Sequence, residues 1–267
     1  MAINDWRVWA TRPSAANTQW AQLLHAQGFA TLELPLMDIK PLTDSASQQA
    51  IKDLVLDFDQ FDKVIFVSQN AVHHAFEWLH DYWPQLPSGQ DFFAVGERTS
   101  LALAAQSANL CRVGQGMNTE GLLALPDLQD VWGKKILICR GRGGLPKLGE
   151  ILHQRGAMVR YLELYERLLP EHAAAQLRQA TPSLAAKDLL VAFSGETLHN
   201  LVSVLAETGW HGWKNPLLVP GSRVAELAQA MGFEQIIAAP DAGERSMLNS
   251  LLNYCKEHRP PNSQETP

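Results

Sequence analysis

Nowhere in the 267 residues does an apolar run approach the roughly 20 residues that a membrane helix requires. The opening Met1-Ala2-Ile3-Asn4-Asp5-Trp6-Arg7 lacks the apolar core of a secretory signal. A soluble, cytoplasmic protein is expected. Cysteine is scarce as well: Cys111, Cys139 and Cys255 are odd in number and far apart. That argues against a disulfide framework, and no Cys-x-x-Cys offers a zinc corner. The histidines show no metal spacing; His73 and His74 are neighbours and are expected to leave a helix in different directions. Neither a metal site nor a cofactor is expected. Basic residues are outnumbered 22 to 28, for a formal charge of −6. Nucleic acid is therefore not an expected partner. An anionic small molecule stays open, since a few aimed donors outweigh net charge locally.

Catalytic signatures are missing too. Gly141-Arg142-Gly143 is not completed by a third glycine, because Pro146 stands in its place, so the dinucleotide fingerprint fails. No Gly-Lys-Ser/Thr phosphate loop and no glycine-flanked nucleophile serine occur.

What the chain has is a regular alternation of short apolar runs and helical patterns, the mark of a parallel α/β architecture. With 46% hydrophobic and 19% charged residues it can bury a substantial core, and its length suits two domains. The clearest unit runs from Lys134 to Pro170. Ile136-Leu137-Ile138-Cys139 reads as a buried strand. Arg140 to Gly144 is a turn where backbone can approach a ligand closely. Leu145, Leu148, Ile151 and Leu152 mark a helix that Gly156 stops, and Val159 to Tyr165 alternates as a second strand. The turn thus falls at the carboxyl end of a strand, where open α/β sheets bind ligands. Near the start, Trp6 to Ala10 reads as a strand and Ser14 as the cap of the helix that Gly28 ends.

The units repeat. Val64–Asn70 resembles Leu190–Glu196, and Phe93–Thr99 resembles Leu218–Val224. Ser194 follows Ser68 by 126 positions (194 − 68), Gly221 follows Gly96 by 125 (221 − 96) and Arg140 follows Arg12 by 128 (140 − 12). This near-constant offset implies two copies of one domain, the second a circular permutation inserted into the first. The expected bounds are 1–35 with 171–258 for the discontinuous domain and 44–158 for the inserted one. Segments 36–43 and 159–170 read as a two-stranded antiparallel linker that permits domain motion. Residues 259–267 read as a disordered tail.

Six turns lead from strands into helices. They carry Thr11-Arg12, Ser68-Gln69-Asn70, Gly96 with Thr99 just beyond, Arg140-Gly141, Ser194-Gly195 and Pro220-Gly221-Ser222. Helix N-termini expose free N–H groups and partial positive charge, so they hold carboxylates or phosphates. Each Ser or Asn alone reads first as an ordinary cap; their recurrence points to a large polyanion. Tyr165 is the candidate acid, because a phenol, though weak, can protonate a leaving hydroxyl or hold it by hydrogen bond. Tyr161 competes for that role. From the residues alone, Tyr165 is first an amphipathic tyrosine packed on the linker.

Thr11-Arg12-Pro13, Ser68-x-Asn70-Ala71-Val72, Val95-Gly96-x-x-Thr99, Arg140-Gly141, Gly156-Ala157-x-Val159, Tyr165, Phe193-Ser194 and Pro220-Gly221 occur in this order over about residues 6 to 252. In order and spacing the chain resembles the uroporphyrinogen-III synthases. Val67 and Val224 depart from the pattern, where Ser or Thr is usual. The resemblance implies two flavodoxin-like parallel-sheet domains joined by a two-stranded linker. It implies a cofactor-free lyase of haem, sirohaem and cobalamin biosynthesis. The implied substrate is hydroxymethylbilane, a linear tetrapyrrole with eight carboxylates, closed with loss of water and inversion of the last ring through a spiro intermediate. Tyr165 is implied as the residue assisting loss of the hydroxyl. Thr11, Arg12, Ser68, Gln69, Asn70, Gly96, Thr99, Arg140, Gly141, Ser194, Gly195, Pro220, Gly221 and Ser222 are implied as substrate contacts. A monomer is expected, with room for a transient contact with hydroxymethylbilane synthase. Two other classes fit the bare residues: a two-domain binding protein for an anionic metabolite, and a sugar-nucleotide glycosyltransferase.

Overall fold

Lys63 to Phe66 and Asp188 to Val191 are buried at every position, and Val8, Trp9 and Ala10 are fully enclosed. Continuous burial of this kind belongs to strands covered by helices on both faces. A computed structural model describes residues 6–106, 111–114 and 118–258. The tail at 259–267 lies outside the described residues.

In chain order the elements are β1 (Arg7–Ala10), α1 (Ser14–Ala26), β2 (Ala30–Glu33), β3 (Asp38–Pro41), α2 (Ser45–Leu56), β4 (Lys63–Phe66), α3 (Gln69–Tyr82), β5 (Asp91–Ala94), α4 (Glu97–Gln106), β6 (Cys111–Val113), α5 (Thr119–Leu123), β7 (Lys135–Gly141), α6 (Lys147–Gln154), β8 (Met158–Leu168), α7 (Ala173–Ala180), β9 (Asp188–Val191), α8 (Gly195–Thr208), β10 (Leu217–Pro220), α9 (Gly221–Ala230), β11 (Ile236–Ala239) and α10 (Glu244–Glu257). Among the described residues no helix is long and apolar enough to cross a membrane.

The chain divides into two compact units. Unit 1 takes the residues up to Asp38 and those from Leu168 onward; unit 2 is Ile39–Arg167. Unit 1 is built on a five-stranded sheet in the order β11-β10-β9-β1-β2, with every neighbouring pair parallel. Unit 2 is built on a six-stranded sheet in the order β3-β8-β7-β4-β5-β6, parallel from β8 through β6.

Brought into register by the sequence offset, the two orders coincide. Strands β11, β10, β9, β1 and β2 match β6, β5, β4, β7 and β8, and β3 is added beyond β8. Each unit is therefore a doubly wound sheet of flavodoxin-like order. Strand order reverses between β1 and β9 in unit 1 and between β7 and β4 in unit 2. The helices after β4 and β9 repeat as well. Both α3 and α8 have 14 residues. Ala71, Val72, Ala75 and Leu79 are buried in one, and Thr197, Leu198, Leu201 and Leu205 in the other. That spacing is the stripe of a helix lying on a sheet.

Two local expectations change. The stretch 159–170, read as half of a linker, is β8. It does lie beside β3, and the Leu42 N–H donates to the Leu164 carbonyl at 3.1 Å. It also ladders with β7 from Met158 to Tyr165. It is thus an interior strand of the unit 2 sheet, whose alternation records one face buried deeper than the other. Ser14 is the first residue of α1 rather than its cap; the Asn17 side chain fixes the preceding turn by accepting from the Arg12 N–H at 2.9 Å.

Candidate active site

Parallel strands end together, so the turns after β4 and β7 meet at the switch point of unit 2. Tyr165 reaches the same place from β8, opposite Gly141 in the ladder. Its hydroxyl is 2.9 Å from the Ser68 hydroxyl. Its ring is 2% exposed and rests on Gly141, where a Cβ would come within 2.6 Å of Cε2. The His74 ring lies 5.5 Å from the Tyr165 ring, and the Arg142 N–H donates to the Tyr165 carbonyl at 2.7 Å. The phenol is held at its ring, its backbone and its hydroxyl.

The ladder shifts register between Arg140 and Gly141. Strict alternation from Tyr161 would bring Tyr165 to the same face. The irregularity instead packs Tyr165 with the α3 side of the sheet and leaves Tyr161 with the α6 side. A bulge re-aiming a side chain beside a site is a recurrent device. Tyr161 is held between the Arg140 guanidinium, 3.9 Å above its ring, and Gly149, where a Cβ would fall 2.0 Å from its hydroxyl oxygen.

Unit 1 repeats the frame. Ser68 caps α3 by accepting from the Ala71 N–H at 3.1 Å, and Ser194 caps α8 by accepting from the Thr197 N–H at 3.1 Å. Gln69 and Asn70 form the first turn of α3 beyond its cap, and Gly195 opens α8. Thr11 is fully buried, and its hydroxyl donates to the Val191 carbonyl at 2.7 Å, which ties the end of β1 to the end of β9.

The two turn arginines are engaged alike. Arg12 pairs with Glu244 at 2.5 Å and lies 4.1 Å above the Phe193 ring. Arg140 pairs with Glu163 at 2.8 Å and donates to the Gly144 carbonyl at 3.1 Å. These contacts lie within each arginine's own unit, where they shape the turn. Gly96 and Thr99 follow β5, Pro220 ends β10, and Gly221 and Ser222 follow it, one strand farther from the switch point in each sheet. Thr99 is buried, as is its offset counterpart Val224; the position packs in both units. Gly221 opens α9 at φ +67, a left-handed conformation that glycine takes without steric cost.

The sequence reading did not single out His74 as a neighbour of Tyr165 or Asn17 as a turn anchor. The His73 and His74 rings, expected to diverge, lie 5.1 Å apart and both face Glu77, at 3.4 and 2.8 Å. Glu77 stands four positions after one and three after the other, so both reach it. Cys139 is fully buried and burial pushes its thiol well up, so it is not a nucleophile. The Asp57-Phe58-Asp59 string, of the Asp-x-Asp kind that a sugar-nucleotide glycosyltransferase uses to hold a metal, precedes β4 and buries Phe58. It therefore sits at the end of the sheet away from the turns.

The sequence model of the family described as uroporphyrinogen-III synthase HemD matches residues 18–249. The chain is 32% identical over 253 residues to the uroporphyrinogen-III synthase of Escherichia coli (strain K12), covering 90% of this chain and 98% of that protein. It is 32% identical over 246 residues to the uroporphyrinogen-III synthase of Salmonella typhimurium, with the same shares covered, 90% and 98%. The solved uroporphyrinogen-III synthetase of Helicobacter pylori 26695 shares the fold, with a TM-score of 0.63, 18% identity, and 95% of this chain and 100% of that one covered. A mutant uroporphyrinogen III synthase from the extremely thermophilic bacterium Thermus thermophilus shares it too, with a TM-score of 0.60, 19% identity, and 94% and 98% covered. The matched span takes in the switch point of unit 2 with its Ser68–Tyr165 pair, and the chain belongs to the uroporphyrinogen-III synthase family.

Proposed function

We propose that the chain closes hydroxymethylbilane to uroporphyrinogen III, with Tyr165 giving the proton that turns the leaving hydroxyl into water. Family membership carries the overall activity, a cyclising dehydration in tetrapyrrole biosynthesis. The observation that supports Tyr165 is its hydroxyl, 2.9 Å from Ser68 at the N-terminus of α3. The electron-rich pyrrole beside the hydroxymethyl group expels oxygen from its own carbon. A proton delivered to that oxygen lets water leave in place of hydroxide. The charge left on the phenol falls at the positive end of α3. The substituted carbon of the last ring then attacks the cationic methylene, giving the spiro centre. Bond migration and loss of one ring proton restore the pyrrole, and that proton replaces the one Tyr165 gave. Attack by water on the cation would only regenerate the alcohol, so a site that excludes water serves the reaction.

The carboxylates fall to the helix N-termini, whose first-turn N–H groups have no intrahelical acceptor. After the capping serines, the amides of Gln69, Asn70 and Gly195 come next, with Gly221 and Ser222 at the start of α9. Arg12, Arg140 and Thr11 hold the turns in shape. Family membership answers the two other classes open on the residues alone. Incubation with hydroxymethylbilane and separation of product isomers tests the reading. The type III isomer is expected; the type I isomer alone, as forms without enzyme, would overturn it.

A further inference from the structure

We infer that Ser68 is a positioning residue for Tyr165 rather than a carboxylate anchor, and that the proton chemistry belongs to the switch point of unit 2 alone. This rests on the reading of Tyr165 as proton donor. The repeat supplies the comparison. Ser68 and Ser194 have the same backbone, φ/ψ −160/165 and −162/167, and cap helices of the same length with the same 3.1 Å bond. Their other neighbours differ. The Ser68 hydroxyl meets the Tyr165 phenol, whereas the Ser194 hydroxyl meets the Thr197 hydroxyl of its own helix at 3.0 Å.

The partners differ in the same sense. By the 128-residue offset (165 − 128), Met37 stands where unit 2 has Tyr165. By the 126-residue offset (74 + 126), Asn200 stands where unit 2 has His74, and its side-chain amide donates to the Leu36 carbonyl at 2.7 Å. A thioether and a carboxamide carry no exchangeable acid for the reaction. Unit 1 therefore keeps the anion-binding frame and lacks the acid.

A serine hydroxyl has one proton and two acceptor sites. In Ser68 one acceptor site is taken by the Ala71 N–H. The arrangement that leaves the phenol proton for the substrate is the one in which Ser68 donates to Tyr165 Oη. The chain Ala71 N–H to Ser68 O–H to Tyr165 O–H then runs in one direction, and each bond polarises the next. When the proton leaves, a donor is already aimed at the phenolate, with no reorganisation needed.

Ser68→Ala should lower kcat about 10- to 100-fold, a part of the full value of a general acid, while KM changes less than about threefold. Ser68→Thr, which keeps the hydroxyl, should recover most of the rate. Ser194→Ala removes the matched cap and should instead raise KM, with kcat held within about threefold. Thermal midpoints of the two alanine proteins measure the cap loss they share. The deciding protein is the double variant. Added to Tyr165→Phe, Ser68→Ala should cause no further fall in kcat, because the hydroxyl it acts through is gone. Losses that multiply, or an effect of Ser68→Ala confined to KM, would overturn the inference. An impaired Tyr165→Phe beside a fully active Ser68→Ala would overturn it while leaving the proton donor in place. A fully active Tyr165→Phe would overturn the proton-donor reading, and this inference with it.

Discussion

Gly141 and Tyr165 face each other across β7 and β8, and the tyrosine ring fills the space a side chain at 141 would need. A Cβ there would stand 2.6 Å from Cε2 and 2.9 Å from Cζ. Gly141 thus acts through what it lacks, since it lets the phenol lie flat at the strand end. Gly141→Ala should cost about 1–3 kcal/mol of stability by overpacking and should lower kcat by moving the hydroxyl away from Ser68. Steady-state kinetics with a thermal midpoint checks this. Wild-type kcat in a folded Gly141→Ala protein would show that the ring position is not critical.

Arg140 offers a contrast between holding a turn and holding a substrate. Its guanidinium is committed to Glu163, the Gly144 carbonyl and the Tyr161 ring. Arg140→Gln should lower stability by about 1–2 kcal/mol, from a lost cation–π contact and a partly exposed ion pair. KM should change by less than about threefold. A large rise in KM at unchanged stability would place Arg140 on the substrate instead.

At the other end of the unit 1 sheet, Asp188 is fully buried and takes two bonds from Arg7, at 2.5 and 2.7 Å, and one from the Ala185 N–H at 2.7 Å. The Asp188 hydrogen bond raises the Arg7 pKa. Asp188→Ala leaves a guanidinium without its partner and should cost about 3 kcal/mol or more. Activity per folded molecule should stay near wild type. Urea denaturation with an active-site titration separates the two effects, and a loss of turnover without loss of stability would contradict this division.

Acid should weaken unit 2. The Asp44 carboxyl is held down to about 2, first by the Ser47 hydroxyl and then by the Ser47 N–H. Asp62 is lowered mainly by the Lys135 N–H. For Asp91, burial works upward and is outweighed by Lys63 and Arg112. Folded values below the unfolded ones mean stability that is complete above about pH 4 and is lost as pH falls through the folded values. The urea midpoint should therefore be lower at about pH 3 than at about pH 6. Equal midpoints would show that these carboxylates contribute nothing.

Much of this architecture was legible in the sequence, because an offset between like strand–turn–helix units survives where single motifs are weak. Ser68 and Ser194 alone fixed two matched helix starts, and the strand orders agree with the repeat they suggested. The position of Tyr165 was less legible. Alternation along Val159 to Tyr165 gives it the same face as Tyr161, and only the register shift opposite Gly141 separates them. A bulge is set by ladder hydrogen bonds with another segment, so no pattern within the strand records it. The pairing of β8 with β3 was read as a two-stranded linker, while the ladder that also makes β8 an interior strand beside β7 rests on hydrogen bonds to a separate segment. The ion pairs of the two turn arginines were not legible either, because their partners, Glu244 and Glu163, come from elsewhere in the chain.

The central claim is that the Tyr165 hydroxyl, and not that of Tyr161, supplies the proton. The most direct measurement is turnover of hydroxymethylbilane by Tyr165→Phe and Tyr161→Phe, with isomers separated and thermal midpoints recorded. Tyr165→Phe keeps the ring on Gly141 and removes only the hydroxyl. Its kcat should fall about 100-fold or more, as for loss of a general acid, with the enzymatic product still the inverted isomer. Tyr161→Phe should stay close to wild type. A fully active Tyr165→Phe, or the two variants behaving the other way round, would contradict the account and leave Tyr165 as a packing residue of β8.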